Sequence, residues 1–338
     1  METRADQHDL TARMRPAGAQ PISLVVPVYN ERDNLDRLAD VIREALDPAE
    51  VTFEVILVDD GSTDGSAAIM QRIHESDARF KVVHFIRNYG QTAAMSAGIH
   101  HASYDLVAFL DADLQNDPAD IPAMMSVLEE GYDIVCGWRK DRKDRLLDRK
   151  IPSRIANWLI SRMSRVHLHD YGCSLKVCRR EFIAEIPLYG QMHRFIPIYA
   201  VWAGAKLVEV PVRHHPRTAG ETSYGLARIP RVLLDLVTVK FLRDFYVNPI
   251  YFFGFFGFAT IAVGFACAAG AMWMKWYYGT YMNDNPLVTI GAMCILLGFN
   301  AFFFGLIAEV LIRMNFEIQR RVPYKVREKL GELTFRGH

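Results

Sequence analysis

Asp111 and Asp113 stand one residue apart at the end of an apolar run, and paired carboxylates at such a place are suited to holding a cation. Tyr104 to Leu110 is short, rich in β-formers and without a helical period, so it reads as a buried strand. The C-terminal end of such a strand is where open α/β sheets bind ligands. Two like charges held this close repel unless a cation lies between them. Oxygen ligands suit Mg²⁺ or Mn²⁺, which keep several waters and also bind phosphates. The pair therefore points to a diphosphate bridged to protein by a metal. The plainer reading is that Asp113 only caps the helix following Pro118.

An alternation of strands and helices must position these groups. Ile22 to Val26, Phe53 to Val58, Lys81 to Phe85, Tyr104 to Leu110 and Asp133 to Val135 are the expected strands. Arg32 to Leu46, Ser66 to Ser76, Gln91 to His101 and Pro118 to Glu129 are the expected helices, the last with Asp117 as N-cap and Pro118 first. This order predicts an α/β fold with a mostly parallel sheet covered by helices on both faces. A later strand, Leu207 to Val212, is expected at the sheet edge.

Each strand end carries a polar loop. Pro27-Val28-Tyr29-Asn30-Glu31 closes the first strand, Asp59 to Gly65 the second, and Arg87-Asn88-Tyr89-Gly90-Gln91 the third. Carboxylates such as Asp59 and Asp60 can accept hydrogen bonds from a base or ribose. Asn, Asp, Gly and Ser also dominate ordinary turns, but four such loops on one edge exceed what turn chemistry alone explains. The chain has no Gly-rich phosphate loop, so a metal must offset the phosphate charge.

The chain has 338 residues, and its 39 Lys and Arg balance 39 Asp and Glu, so global charge gives no sign of nucleic-acid binding. Pro249 to Met274 and Pro286 to Ala308 carry no charged side chain. At about 1.5 Å per residue these runs reach roughly 39 and 34 Å, enough to cross a hydrocarbon core about 30 Å thick. Arg228, Arg231, Lys240 and Arg243 precede the first run, and Arg313, Arg320, Arg321, Lys325, Arg327 and Lys329 follow the second. The positive-inside rule puts both termini in the cytoplasm and the aromatic tip between the runs outside. Residues 1–20 form an expected flexible tail, not a cleaved signal peptide.

The expected organisation continues with a catalytic domain over 21–224. Residues 225–247 form an amphipathic helix that lies in the membrane interface or packs on that domain. Spans at 248–276 and 286–312 flank an external loop at 277–285, and a basic tail occupies 313–338. The five cysteines match no zinc or redox spacing and read as packing residues.

Pro27 to Glu31, Asp59-Asp60-Gly61-Ser62, Asp111-Ala112-Asp113-Leu114-Gln115 and Asp170-Tyr171-Gly172-Cys173 resemble the motifs of family-2 glycosyltransferases of the GT-A fold. Within that family the chain is similar to the polyprenyl-phosphate glycosyltransferases, which include the dolichyl-phosphate mannose and bacterial undecaprenyl-phosphate glucose enzymes. The resemblance covers about residues 20 to 326. His193 to Pro197, Arg217 to Tyr224, and Glu309, Arg313, Glu317, Arg321 and Tyr324 match later motifs of the subgroup. The sequence departs where the subgroup usually has Lys for Ser223 and Phe-Arg for Leu175-Lys176, and Arg321-Val322-Pro323-Tyr324 permutes the usual Arg-Pro-X-Tyr.

The resemblance implies an inverting, membrane-bound enzyme of the cytoplasmic leaflet of the inner membrane. It would move a sugar from a nucleotide donor, UDP-linked, onto polyprenyl phosphate, and assemble as a homo-oligomer, a tetramer in the family. It implies Mg²⁺ or Mn²⁺ on Asp111, Asp113 and Gln115. Donor contacts are expected from Pro27, Tyr29, Glu31, Asp59, Asp60, Asn88 and Gln91. Asp170 occupies the family's proposed base position, where it deprotonates, or instead orients the acceptor or shields positive charge on the sugar. Arg139 and Arg217 are the expected phosphate clamps, since Arg offers paired donors; Arg154, Lys176 and Arg194 are weaker candidates. The alternatives are a GDP-mannose enzyme of the dolichol type and a scaffold that binds nucleotide-sugars without turnover.

Overall fold

A computed structural model describes residues 20–140, 160–216 apart from Met163, Arg165, Pro187, Tyr189 and Gln191, and 249–319 apart from Thr280. The chain divides into two units, residues 1–236 and 237–338.

The first unit is built on strands β1 (Ile22–Val28), β2 (Phe53–Asp59), β3 (Phe80–His84), β4 (Leu106–Phe109), β5 (Ile134–Trp138), β6 (Lys176–Arg179) and β7 (Leu207–Pro211). They form one sheet in the order β3-β2-β1-β4-β6-β5-β7. Pairing is parallel throughout except at β6, which runs antiparallel to both β4 and β5. β1 and β2 are almost wholly buried, which is why both read as continuous apolar runs and not as alternating ones.

Helices α1 (Arg32–Leu46), α2 (Ser66–Ser76), α3 (Gln91–His101) and α4 (Ile121–Glu129) return the chain between parallel strands. In α1, Leu35, Leu38, Ala39, Ile42 and Leu46 recur at helical spacing and pack on β1 and β2 side chains in one core. A 3₁₀ turn at Pro118–Asp120, capped by Asp117, replaces the expected first turn of α4. Short helices α5 (Arg180–Ile183) and α6 (Ile196–Trp202), with a 3₁₀ turn at Met192–Phe195, lie between β6 and β7.

Two of the differences from expectation bear on the site. β5 extends to Trp138, three residues past the expected end, so Arg139 follows the strand directly. β6 has no counterpart among the expected strands. Lys-Val-Cys-Arg carries too few β-formers to signal a strand by itself, and it is one because β4 and β5 both offer it a ladder.

The second unit is a hairpin of α7 (Pro249–Tyr278) and α8 (Pro286–Gln319), both long and apolar enough to cross a membrane. The helices touch through glycines seven residues apart. A Cβ on Gly298 would sit 2.6 Å from the Gly257 carbonyl oxygen, and one on Gly264 would sit 2.8 Å from that of Gly291. Small residues at such crossings let backbones approach closely where lipid offers no hydrophobic drive. Trp273, Trp276, Tyr277, Tyr278 and Tyr281 are exposed around the tip.

Candidate active site

The loops after β1, β2, β3 and β4 are stitched into one surface by hydrogen bonds in sequence order. The first joins the second through Asn30, whose N–H donates to Ser62 Oγ at 3.0 Å and whose Oδ1 accepts from Thr63 N–H at 2.9 Å. Glu31 N–H donates to Ser66 Oγ, and Arg32 N–H to Asp64 Oδ2. Asn30 takes a left-handed φ of 55° to do this, which Asn tolerates better than most residues.

The second loop holds the third through Asp60. Its Oδ1 accepts from Tyr89 N–H at 2.6 Å and its Oδ2 from Gly90 N–H at 2.8 Å. Gly61, at φ +70°, lies so close beneath the third loop that a Cβ would meet the Arg87 carbonyl carbon at 2.5 Å. Asp59 is likewise engaged, accepting from Ser62 N–H at 2.9 Å, with His84 Nδ1 3.0 Å from its other oxygen. Both carboxylates are buried and work first as loop organisers. A base or ribose would share them through remaining lone pairs, since an ionised carboxylate has about four acceptor sites.

The third loop reaches the fourth through Gln91, whose Nε2 donates to Asp111 Oδ1 at 2.9 Å. Gln91 is therefore placed beside the carboxylate pair. Tyr29 and Asn88 are exposed on the same rim, while Pro27 lies within β1 and Glu31 leads into α1, its Oε2 accepting from Asn34 Nδ2.

Asp111 and Asp113 follow β4, with Leu114 at a left-handed φ of 59° between Asp113 and Gln115. Such a conformation costs about 1–3 kcal/mol and persists only where surroundings enforce it. Here Asp113 Oδ1 accepts from Gln115 N–H at 3.2 Å. Burial, and then the neighbouring Asp113 charge, raise the Asp111 pKa, while a hydrogen bond from Ser174 and then the Lys176 and Arg139 charges act against the rise. A divalent cation suits such a pair. Among the described residues no group of three His, Cys, Asp or Glu side chains converges for a metal. An ion held here would take two carboxylates from the chain and complete its shell from Gln115, substrate oxygens and water, the usual manner for Mg²⁺.

Behind this edge, Arg139 and Asp170 are paired at two points, Nε to Oδ2 at 2.7 Å and Nη2 to Oδ1 at 3.0 Å. Lys176 on β6 is buried and donates to the Cys173 carbonyl. Arg194 lies in the 3₁₀ turn beside His193, whose Nδ1 is 2.7 Å from Thr92 Oγ1 on α3, so this turn rests near Gln91. Arg154 and Arg217 fall outside the described residues.

Three cysteines, Cys136, Cys173 and Cys178, are buried near the site and unpaired in disulfides. Burial pushes the thiol of Cys173 up to about 11 and that of Cys178 up to about 12, so neither supplies a thiolate near neutrality. Sequence reasoning did not single out Trp138, Glu209 or Arg213, and it weighed His169 only as a possible metal ligand. Arg213 N–H and Nε both donate to Asp120, and His215 N–H donates to the Gln115 carbonyl at 2.9 Å. Residues 213–215 are thereby fastened to Gln115 and to the 3₁₀ turn that holds Asp120. The one available signal was Glu209, a lone carboxylate inside an apolar strand.

The sheet order and the joined loops are those of a GT-A fold. Residues 23–186 match the model for glycosyl transferase family 2. The chain is 39% identical over 317 residues to the dodecaprenyl-phosphate galacturonate synthase of Rhizobium johnstonii, covering 93% of this chain and 94% of that protein. It is 33% identical to the undecaprenyl-phosphate 4-deoxy-4-formamido-L-arabinose transferase of Pseudomonas fluorescens, over 96% of this chain and 93% of the relative.

Solved structures share the fold. A Pyrobaculum calidifontis mannosyltransferase in complex with GDP-mannose and Mn²⁺ covers 91% of this chain and 83% of its own, at 16% identity and a TM-score of 0.51. Mycobacterium tuberculosis glucosyl-3-phosphoglycerate synthase with Mn²⁺, UDP and phosphoglyceric acid covers 71% and 83%, at 18% identity and a TM-score of 0.51. The chain is a glycosyltransferase, and it belongs to the polyprenyl-phosphate branch of family 2.

Proposed function

We propose that the protein transfers a sugar from a UDP-linked donor to polyprenyl phosphate at the cytoplasmic face of a membrane, inverting the anomeric centre. The sugar we favour is a hexuronate of the galacturonate kind, after the named product of the Rhizobium relative. The observation that carries the reading is the Gln91–Asp111 hydrogen bond, which joins the nucleotide-facing loops to the carboxylate pair.

Asp111, Asp113 and Gln115 would hold Mg²⁺ or Mn²⁺, which offsets charge on the departing diphosphate. The loops at Tyr29, Asp59, Asp60 and Asn88 orient the nucleoside. A lipid phosphate is largely ionised near neutrality, its second pKa being about 6, so the attacking oxygen needs little help in losing a proton. Asp170, held by Arg139, serves as a fixed negative charge facing the reacting sugar. Arg217 grips the acceptor phosphate, and α7 and α8 keep the enzyme in the plane of its lipid.

The test is a panel of UDP-galacturonate, UDP-glucose, UDP-linked 4-deoxy-4-formamido-L-arabinose and GDP-mannose, each offered with polyprenyl phosphate to the purified protein with Mg²⁺ or Mn²⁺. Lipid-linked hexuronate by mass spectrometry is the expected product. Turnover of GDP-mannose alone would move the enzyme to the dolichol type, and binding without turnover would make it a scaffold.

A further inference from the structure

We propose that Glu209, in the middle of β7, is a positioning residue that fixes Asp170 for transfer. The inference rests on the reading of Asp170 as a group facing the reacting sugar. Glu209 Oε1 accepts from the N–H of Asp170 at 2.9 Å and from that of His169 at 3.1 Å. Its Oε2 accepts from His169 N–H at 2.9 Å and lies 2.7 Å from His169 Nδ1. The Glu209 side chain is only 7% exposed, and a carboxylate is held there because these donors satisfy it.

The same two residues are gripped from β5. The Trp138 ring stacks on the His169 ring at 4.5 Å and 21°, and the next residue along each segment makes the Arg139–Asp170 pair. Register places Glu209 opposite Cys136 and Pro211 opposite Trp138. Trp138 at the end of β5 and Arg139 just after it thus hold the His169-Asp170 dipeptide by its side chains, while β7 holds it by its amides. Among the described residues this segment pairs with no strand, and Glu209 constrains its peptide planes through the His169 and Asp170 N–H groups. A tilted peptide would displace the Asp170 carboxylate, and a misplacement of about 1 Å can cost about 10²-fold in rate.

The experiment measures kcat and KM for donor and polyprenyl phosphate, with UDP affinity by calorimetry, in wild type, Glu209→Ala, Glu209→Gln and Asp170→Asn. In Glu209→Ala, kcat should fall at least about tenfold while donor KM and UDP affinity stay within about twofold. Glu209→Gln should recover most of the rate, because its amide oxygen still accepts from both N–H groups. If the alanine variant does not fold, Glu209→Asp, one methylene short of the amides, replaces it with the same expectation.

Wild-type kcat in Glu209→Ala overturns the proposal, as does a rate loss matched by an equal loss of UDP affinity. A folded Glu209→Gln as slow as the alanine variant also overturns it, since charge and not position would then matter. Inactive Asp170→Asn beside fully active Glu209→Ala removes Glu209 alone from the mechanism. Fully active Asp170→Asn removes both.

Discussion

Arg139 and Asp170 form a two-point ion pair whose side chains are each only 9% exposed. Asp170 Oδ1 also accepts from Gly172 N–H at 3.0 Å. A carboxylate gripped by a guanidinium and a backbone amide is well placed to present a fixed charge and poorly placed to collect a proton. Its geometry therefore suits orienting the acceptor or shielding positive charge on the sugar better than general-base work. It also changes the expected part of Arg139. The paired donors foreseen as a phosphate clamp are directed at Asp170, and a phosphate would have to share them.

Arg139→Lys separates these roles. Lys keeps the charge but loses the two-point grip. Transfer should slow about tenfold, the order of one lost charge-assisted hydrogen bond, with UDP affinity within about twofold of wild type. A parallel loss of UDP binding by calorimetry would return Arg139 to the diphosphate.

Asp113→Asn should leave the fold intact and lower transfer by about 10²-fold or more, because a ligand charge is lost where diphosphate charge must be offset. Wild type in excess chelator should behave the same way. Full activity in either case would sink the metal role; thermal unfolding of the variant checks the fold separately.

Gly61→Ala adds a methyl group where the backbone is left-handed and the Arg87 carbonyl carbon would be 2.5 Å away. The expected cost is about 1–3 kcal/mol of strain at the site, seen as a lower melting temperature and weaker UDP binding together. Unchanged values of both would mean that the second and third loops are not in close register.

Arg217→Ala tests the acceptor clamp. It should cripple transfer and leave UDP affinity nearly unchanged, with partial rescue in Arg217→Lys. Transfer rates over a range of polyprenyl phosphate, set beside calorimetry, give the answer. Equal loss of UDP binding would assign Arg217 to the donor.

Orientation is checked by single cysteines in a background lacking the five native ones. A cysteine at Thr280 should react with a membrane-impermeant thiol reagent in intact cells, and one at Gly331 should not. The reverse pattern would overturn the orientation read from the flanking cations.

The strands up to β5, the first four helices and both long apolar helices are legible in the sequence, because local period and composition decide them. Leu35, Leu38, Ile42 and Leu46 repeat at helical spacing whatever they pack against, and no charge interrupts residues 249–274. The loops at Asn30, Asp60, Gln91 and Asp111 are legible too, since each ends an apolar run. Their joining is not. That Asp60 holds Tyr89 and Gly90, that Gln91 reaches Asp111, and that Arg139 meets Asp170 are consequences of strand order, which brings residues about 20 to 31 positions apart within hydrogen-bond reach. The strand at β6 and the partners of Glu209 depend most on the tertiary structure. A four-residue segment becomes a strand only when two neighbours offer it hydrogen bonds, and a strand carboxylate is tolerable in a core only once the fold has aimed amide donors at it.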